Sequence, residues 1–509
     1  MLIHDPLFHH ANKQPDKTAL VFGENTYTYW KVAENIRYLS AFLRLHGLKR
    51  GERVVIYLPN CPEVVFSVYA VSHADGIFSV VHPDTKIEKL AYIVNNCEAN
   101  MLITSQAVFG GRDAANEFKR ECPWIKQVLY TDELRYEYLS NSGITASHLY
   151  DSASGNINID LATIIYTSGS TGFPKGVTMN HLNVMIAVQS IIAYLKNTAN
   201  DRILNVLPLS FDYGLYQVFM CFTFGGTLIL QKDFGFIYET VKTIEKHKIT
   251  GFPIVPTILA MLFNLKDPGK FDFSSLRYIS NTGATLPVSY IRAFRELYPL
   301  VDIFSMYGLT ECKRVAYLDP RLIDSIPDSV GKAMPDTEVF IVDDAGIMVG
   351  PNETGTLMIR GASVMQGYWN DHEATAQKIK QGKYPHDRIL DSGDLFRMDD
   401  EGYLYFVGRK DDLLKIKGER VAPREIEMVI QSIKGVEDVA VVGIPDDIWG
   451  AVIKAYIVQS PQYNGLSDKE VISYCKERLE PFAVPKEVVF LEKLPRNSNG
   501  KIDKFKLGV

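Results

Sequence analysis

The sequence lacks the features that mark membrane, secreted and nucleic-acid-binding proteins. The 509 residues contain no run of eighteen apolar residues, and the first residues show no basic start followed by an apolar core. The six cysteines are scattered without the spacing of a metal site or a disulfide framework. A net charge of −6 does not favour nucleic acid or an anionic membrane surface. These absences predict a cytoplasmic protein whose partners are neither nucleic acids nor membranes.

The order of apolar and polar segments predicts a layered α/β protein with more than one domain. A chain of 509 residues is too long for a single hydrophobic core. Residues 53–58 and 76–81 read as buried strands on either side of a helix over residues 63–74, which is a βαβ rhythm. Short strands broken by turns predict a β-rich subdomain around residues 337–360, and the pattern after residue 409 predicts a small α+β unit.

A loop rich in glycine and hydroxyl groups, YTSGSTGFPKG, occupies residues 166–176 and follows an apolar run of strand length. Its glycines allow close approach of the backbone to a ligand, and its hydroxyls and one lysine can hold phosphate oxygens. It does not match the Walker loop G-x-x-x-x-G-K-[ST]. The alternative is a solvent loop made of turn-forming residues. The candidate phosphate-binding residues are Thr167, Ser168, Gly169, Ser170, Thr171, Gly172 and Lys175.

This loop resembles the signature of the superfamily of AMP-forming adenylating enzymes, which includes acyl-CoA synthetases, amino-acid adenylation domains and luciferases. Four further segments resemble motifs of that superfamily in the same order: YGLTE, DSGD, GRKDDLLKIKG and NGKID, at residues 307–311, 391–394, 408–418 and 499–503.

The resemblance implies an α/β fold with two domains. Residues 1–408 are expected to form a large N-terminal adenylating domain of layered α/β subdomains plus a β-rich subdomain, which holds ATP and substrate. Residues 409–509 are expected to form a small mobile α+β C-terminal lid, with a hinge at Asp411.

The same resemblance implies a reaction in two steps that needs ATP and Mg²⁺. A carboxylate attacks the α-phosphate of ATP to give acyl-AMP and pyrophosphate, and a thiol then displaces AMP to give a thioester. Lys175 is implied to contact the β- and γ-phosphates, Thr310 the α-phosphate, and Glu311 the magnesium ion. Lys501 is implied to enter the site during the first step, where its charge offsets negative charge in the transition state. These four are the candidate catalytic residues.

Other positions are implied to bind the nucleoside and the thiol arm. Tyr307 offers an aromatic face to adenine, and Asp394 and Arg409 can bond the ribose hydroxyls. Gly418 falls where the superfamily needs close backbone approach to the phosphopantetheine arm. Taken singly, Tyr307 could be a core residue, Asp394 a turn residue and Arg409 a solvated charge. Their common order favours the functional interpretation.

Residues 209–219, LSFDYGLYQVF, bear on which carboxylate is activated. The segment resembles amino-acid adenylation domains, in which the aspartate pairs with the α-amino group of the substrate. An aspartate in an apolar pocket is costly unless a cation meets it, so Asp212 predicts a substrate ammonium. The alternative is that Asp212 caps a helix that starts at Tyr213. Alignment on such domains gives the pocket residues Asp212, Tyr213, Tyr216, Pro253, Ser280, Thr282, Met306, Arg314 and Val315.

Two residues differ from the pattern of amino-acid adenylation domains and weaken the amino-acid interpretation. Gly214 stands where adenylation domains mostly have serine, and Leu309 stands where they mostly have proline. The sequence shows no carrier-protein serine motif and no condensation domain, which predicts a stand-alone enzyme.

Three hypotheses follow. The first, by resemblance to prolyl-carrier-protein ligases, is a ligase that activates an amino acid, best L-proline, and transfers it to the phosphopantetheine thiol of a separate carrier protein. The second is an AMP-forming acyl- or aryl-CoA synthetase. The third is a non-enzymatic nucleotide-binding scaffold, which the presence of Lys501, Glu311 and Asp394 opposes.

Overall fold

The protein combines two large mixed sheets with three smaller β-structures and surrounding helices, which confirms the predicted α/β class. None of the helices in the described part of the chain is long and apolar enough to cross a membrane. The computed structural model describes residues 1–133, 155–167, 174–385, 387–410, 412–416, 419–446, 450–460, 463, 465–496 and 502–507.

The largest sheet has nine strands, and its middle strands run parallel. Strands of a parallel sheet are covered on both faces, which is why Thr227–Leu230, with the sequence TLIL, is buried throughout and apolar after its first residue. The strands lie in the order Lys332–Ala333, Ala316–Tyr317, Asp302–Tyr307, Tyr278–Asn281, Gly251–Ile254, Arg202–Asn205, Thr227–Leu230, Thr18–Phe22 and Asn25–Thr28.

The second sheet has seven strands and contains the predicted βαβ unit. Its parallel strands include Arg53–Tyr57 and Ile77–Val81, which the helix Pro62–His73 connects. The strands lie in the order Gly367–Tyr368, Lys175–Asn180, Leu161–Thr167, Ile77–Val81, Arg53–Tyr57, Ala99–Thr104 and Gln127–Tyr130.

Helices cover these sheets, and one of them is buried on every side. In the helix Asp212–Phe224, every residue from Asp212 to Phe222 is buried, as its nearly all-apolar sequence requires. Among the residues described before position 380, the other α-helices are Asp5–Lys13, Tyr29–Leu45, Pro62–His73, Ile87–Asn96, Gln106–Phe109, Arg112–Glu121, His181–Leu195, Ile237–His247, Pro256–Phe263, Val288–Leu297 and His372–Lys378, with 3₁₀ turns at Pro268–Lys270 and Pro320–Leu322.

The predicted β-rich subdomain is an antiparallel sheet of five strands. Its members are Thr337–Val342, Thr354–Gly361, Ile379–Gln381, Arg388–Met398 and Leu404–Arg409. The last strand ends at the proposed boundary between residues 408 and 409, whose position stays a prediction.

The C-terminal part forms the expected α+β unit with its own apolar cluster, which includes Ile426, Ile430, Val441 and Ile453. The helix Asp468–Lys476 begins where Ser467 caps its start through a capping box with Glu470. The elements are Leu414–Ile416, Glu419–Val421, Pro423–Gln431, Val436–Asp446, Gly450–Gln459, Asp468–Lys476, Glu487–Leu491 and a 3₁₀ turn at Lys504–Leu507.

Candidate active site

The candidate phosphate loop starts and ends at two paired strands. Thr167 and Lys175 are cross-strand partners at the ends of the antiparallel strands Leu161–Thr167 and Lys175–Asn180. Both ends of the loop are therefore held at one place by the ladder of the seven-stranded sheet. The residues between them that were predicted to bind phosphate, Ser168, Gly169, Ser170, Thr171 and Gly172, lie outside the described residues.

Tyr368 connects Lys175 with Glu311, although the three residues come from distant segments. The Tyr368 hydroxyl donates to Glu311 Oε1 at 2.7 Å, and Lys175 Nζ lies 5.3 Å from the centroid of the Tyr368 ring. The strand Gly367–Tyr368 pairs antiparallel with Lys175–Asn180, which holds the ring beside the lysine. Burial and the Glu311 carboxylate raise the pKa of Tyr368, so its hydroxyl remains a donor.

Tyr307, Asp394 and Arg409 form a second cluster, as the resemblance implied. The Tyr307 hydroxyl donates to Asp394 Oδ2 at 2.5 Å, and Arg409 Nε lies 3.6 Å from Asp394 Oδ1. Asp394 and Arg409 are cross-strand partners in the five-stranded sheet. Burial raises the pKa of Asp394, while Arg409 and the Tyr307 hydroxyl favour its ionised form. The Tyr307 ring packs edge-on against Phe396, with centroids 4.7 Å apart.

The turn at residues 308–314 links both clusters to the predicted acid pocket. It closes through a hydrogen bond from the Val315 N–H to the Tyr307 carbonyl at 2.9 Å. A Cβ on Gly308 would lie 2.2 Å from the Lys313 carbonyl oxygen, so only glycine fits there. Lys313 itself has a left-handed backbone, with φ 71°. The turn carries Thr310 and directs Glu311 toward Tyr368, while Lys313 points into the pocket.

The donor set around Glu311 fits a magnesium ion held together with phosphate oxygens. Among the described residues there is no group of three or more His, Cys, Asp and Glu side chains that could hold a metal ion. Glu311 presents one carboxylate, and Lys175, which the resemblance assigns to the phosphates of ATP, lies on the other side of Tyr368. Mg²⁺ is commonly bound by one or two carboxylates plus substrate phosphates.

The predicted acid pocket is brought together at the nine-stranded sheet. The Tyr213 hydroxyl donates to the Ser280 carbonyl at 2.6 Å, and the Arg314 guanidinium carbon lies 5.1 Å from the Tyr213 ring centroid. The Tyr194 hydroxyl donates to Met306 Sδ at 3.0 Å. All of the predicted pocket residues are buried: Asp212, Tyr213, Tyr216, Pro253, Ser280, Thr282, Met306, Arg314 and Val315.

Asp212 already has a cationic partner within the chain. Lys313 Nζ lies 3.2 Å from Asp212 Oδ2, and both side chains are buried. The same ammonium lies 4.1 Å from the centroid of the Tyr216 ring, a cation–π contact. Burial and the neighbouring Arg314 lower the pKa of Lys313, and the charge of Asp212 opposes this shift and favours the ammonium form. The prediction that Asp212 needs a substrate ammonium therefore loses its physical basis, because Lys313 supplies the cation.

The alternative role of Asp212 as a helix cap is wrong. Phe211 occupies the cap position of the helix Asp212–Phe224 and makes no side-chain cap bond, and Asp212 is the first helical residue. The unusual Gly214 has a steric cause, since a Cβ there would lie 2.4 Å from the Pro208 carbonyl oxygen. A serine at this position would not fit the present backbone.

Sequence reasoning missed Lys313 and Tyr368. The signal for Lys313 was present, since it precedes the predicted pocket residue Arg314 and two consecutive cations beside a pocket are unusual. Tyr368 offered no signal of its own, because its role depends on strand pairing. The predicted hinge, thiol-arm and catalytic positions Asp411, Gly418 and Lys501 lie outside the described residues.

Two family profiles match the chain. A profile described as AMP-binding enzyme matches residues 7–369, and a profile described as AMP-binding enzyme C-terminal domain matches residues 425–501. The first profile covers more than half of the chain.

Curated relatives and solved structures match over nearly the full length. A long-chain-fatty-acid–CoA ligase of Bacillus subtilis is 29% identical, over 97% of this chain and 91% of the relative. A 2-succinylbenzoate–CoA ligase of the same organism is 30% identical, over 99% of this chain and 97% of the relative. The solved structure of a Bacillus subtilis o-succinylbenzoate CoA synthetase with an acyl-adenylate is 27% identical, with a TM-score of 0.83 over 99% of this chain and 98% of that one.

Proposed function

Because the chain belongs to the AMP-binding enzyme family, within the superfamily of AMP-forming adenylating enzymes, we propose that it is an acid–thiol ligase that makes an acyl-CoA. Its reactants are a carboxylic acid, ATP and coenzyme A. The observation that carries the proposal is that segments far apart in the sequence come together. Tyr368 contacts both Lys175 and Glu311. Tyr307, which lies in the same segment as Glu311, contacts Asp394.

In the first step, a carboxylate oxygen of the acid bonds to the α-phosphorus of ATP, and the bond from that phosphorus to the pyrophosphate oxygen breaks. In this proposal Lys175 would neutralise charge on the leaving phosphates, and Thr310 would donate to the α-phosphate. Mg²⁺, when bound, supplies further charge neutralisation at the phosphate oxygens. Glu311 would hold it, and Tyr368 would orient Glu311.

We assign binding of the adenosine part of ATP to the second cluster, which consists of Tyr307, Asp394 and Arg409. Asp394 can accept bonds from both ribose hydroxyls, because an ionised carboxylate has several acceptor positions. Arg409 is exposed and lies opposite Asp394, so it can donate to the same ribose. Tyr307 both orients Asp394 through its hydroxyl and offers a ring face to adenine.

In the second step, the thiol sulfur bonds to the acyl carbon and the carbon–oxygen bond to AMP breaks, which gives the thioester and AMP. Coenzyme A is the proposed thiol because both curated relatives described above are CoA ligases. Leu309, which stands where amino-acid adenylation domains mostly have proline, agrees with this assignment.

The second candidate is an amino acid–carrier-protein ligase, with L-proline as the amino acid. The observation that favours it is Asp212, a carboxylate buried in the acid pocket. Lys313 opposes it, because an incoming ammonium would have to compete with a cation already 3.2 Å from Asp212. If this candidate is correct, Asp212→Asn should raise KM for the amino acid steeply and leave KM for ATP unchanged.

An acid-dependent ATP–pyrophosphate exchange panel tests the proposal. Fatty, aryl, dicarboxylic and amino acids are supplied singly, and the acids that support exchange are then incubated with coenzyme A or with a phosphopantetheinylated carrier protein. We expect acyl-CoA formation. Thioester formation on the carrier protein alone would support the second candidate, and a folded, ATP-binding protein inert with every acid would exclude both.

We further propose that residues 409–509 form a lid that turns about Asp411 between the two steps. Asp411→Pro is expected to leave acid-dependent exchange largely intact and to slow thioester formation. Proline fixes φ at about −65° and would therefore hinder rotation about the hinge. The two steps are measured separately, by exchange and by thioester release. Equal loss in both steps would place the hinge elsewhere.

Tyr368→Phe tests the positioning of Glu311. The variant keeps the ring beside Lys175 and removes only the hydroxyl that donates to Glu311 at 2.7 Å. We expect kcat/KM to fall at least about tenfold, since a hydrogen bond to a charged group contributes about 1.5–3 kcal/mol. The Mg²⁺ concentration needed for half-maximal exchange should also rise.

Tyr405→Phe is the matched control, because the Tyr405 hydroxyl donates to Asp399 at 3.1 Å outside the site. This variant should leave both quantities unchanged. An unaltered Mg²⁺ requirement in Tyr368→Phe would mean that Tyr368 does not position Glu311.

A further inference from the structure

Arg314 is a buried cation for which the described part of the chain supplies no carboxylate. The residue is only 2% exposed, and its Nε has no hydrogen-bond partner among the described residues. A guanidinium keeps its charge throughout the physiological pH range. The Tyr194 hydroxyl and the Tyr213 ring, whose centroid is 5.1 Å from the guanidinium carbon, interact with Arg314 but carry no negative charge, so they compensate its charge only in part.

Asp212 does not neutralise Arg314, because Asp212 is already paired with Lys313. The Asp212 carboxylate lies 3.2 Å from Lys313 Nζ, and both side chains are almost fully buried. Two consecutive cations, Lys313 and Arg314, therefore enter a pocket with one carboxylate among the described residues. A buried charge without a partner is costly, and a bound anion would remove that cost.

The substrate carboxylate that reacts with ATP is not the anion that would pair with Arg314. That carboxylate must reach the α-phosphate, on the side of the 308–314 turn where Tyr368 holds Lys175 and Glu311. Arg314 instead lies against Tyr213, whose hydroxyl bonds to Ser280 inside the acid pocket. The contacts of Arg314 are therefore with the acid-pocket residue Tyr213, and the Lys175–Tyr368–Glu311 contacts are made by other residues.

We propose that the acid activated by this enzyme is a dicarboxylic acid, whose second carboxylate binds Arg314 beside Tyr213. The inference rests on the proposed function, since it assigns the substrate of the same site. A fatty acid would place an apolar tail against the guanidinium and leave its charge unpaired. An amino acid would bring a third cation into the pocket. A dicarboxylate supplies the missing charge, and its carboxylate can accept two parallel bonds from the guanidinium.

The test compares each diacid with its own half-ester. Succinate, glutarate, adipate and phthalate are assayed by ATP–pyrophosphate exchange against their monomethyl esters, with butyrate, octanoate, benzoate and L-proline as further acids. We expect one diacid to exceed its half-ester at least about a hundredfold in kcat/KM, because a buried charged group left without its partner costs that much or more.

Arg314→Gln should remove this preference through the loss of diacid activity, while half-ester activity stays constant or rises. Arg321→Gln is the control: it removes an arginine whose side chain is 87% exposed in the same segment, and should change nothing. Arg314→Lys, which keeps the charge, should retain part of the preference. If Arg314→Gln does not fold, the comparison of diacids with half-esters in the unaltered enzyme decides alone.

Three results would overturn the inference. Exchange with monoacids that equals or exceeds exchange with every diacid would refute it and leave the proposed function intact. Equal loss for diacids and half-esters in folded Arg314→Gln would place Arg314 at the reacting carboxylate instead. Absence of exchange with any acid, in a protein that still binds ATP, would remove the proposed function itself.

Discussion

Lys501→Ala is expected to slow acyl-adenylate formation at least about a hundredfold, the scale for removing one preorganised donor from a transition state. We propose that Lys501 contacts the reacting carboxylate and the α-phosphate only in the first step. Thioester formation from supplied acyl-AMP should therefore fall much less. Pyrophosphate exchange measures the first step, and a single turnover with synthetic acyl-AMP and coenzyme A measures the second.

Lys506→Ala is the matched control for this experiment. Lys506 lies in the same C-terminal segment, its side chain is 65% exposed, and it pairs with Asp503 at 3.3 Å. Its removal takes away the same charge and should leave both steps near normal. Near-normal exchange in folded Lys501→Ala would contradict the role assigned to Lys501.

The second large effect is expected on the free energy of unfolding, when the buried Asp212–Lys313 pair is broken. Lys313→Met removes the ammonium 3.2 Å from Asp212 and leaves a carboxylate buried without a cation of its own. We expect the free energy of unfolding to fall by about 3–5 kcal/mol, the usual cost of breaking a buried ion pair by removal of one partner. Urea unfolding followed by circular dichroism measures this change.

The double variant Asp212→Asn/Lys313→Met should lose much less, because no unpaired charge of the pair then remains. The exposed pair Lys248–Asp272, at 2.9 Å with side chains 62% and 50% exposed, is the control. There, loss of the lysine should cost about 0–1 kcal/mol. A double variant as unstable as Lys313→Met would show that packing, and not the ion pair, explains the loss.

Much of the fold could be predicted because its signals are local. Strand-length apolar runs predicted Arg53–Tyr57 and Ile77–Val81 to within a residue. The resemblance assigned Tyr307, Asp394 and Arg409 to one nucleoside, and these three side chains lie together, although their role stays a prediction.

The electrostatics of the acid pocket could not be predicted in the same way. Asp212 suggested a missing cation, and the sequence contained many candidates for it. The turn at residues 308–314 selects Lys313, about a hundred positions along the chain, and its left-handed backbone directs that side chain to Asp212. The same turn leaves Arg314 without a described carboxylate. Long-range pairing of this kind depends on the relative placement of strand ends.

The sequence by itself determined the fold class, the family and the reaction type of this protein, because each of these depends on short motifs and on local apolar periodicity. Only the tertiary structure decided that Tyr368 holds Glu311 beside Lys175 and that Asp212 is neutralised by Lys313. The physical reason is that charge compensation in a buried site depends on distances of a few ångströms between side chains. Those distances are set only when separate strands and turns pack together.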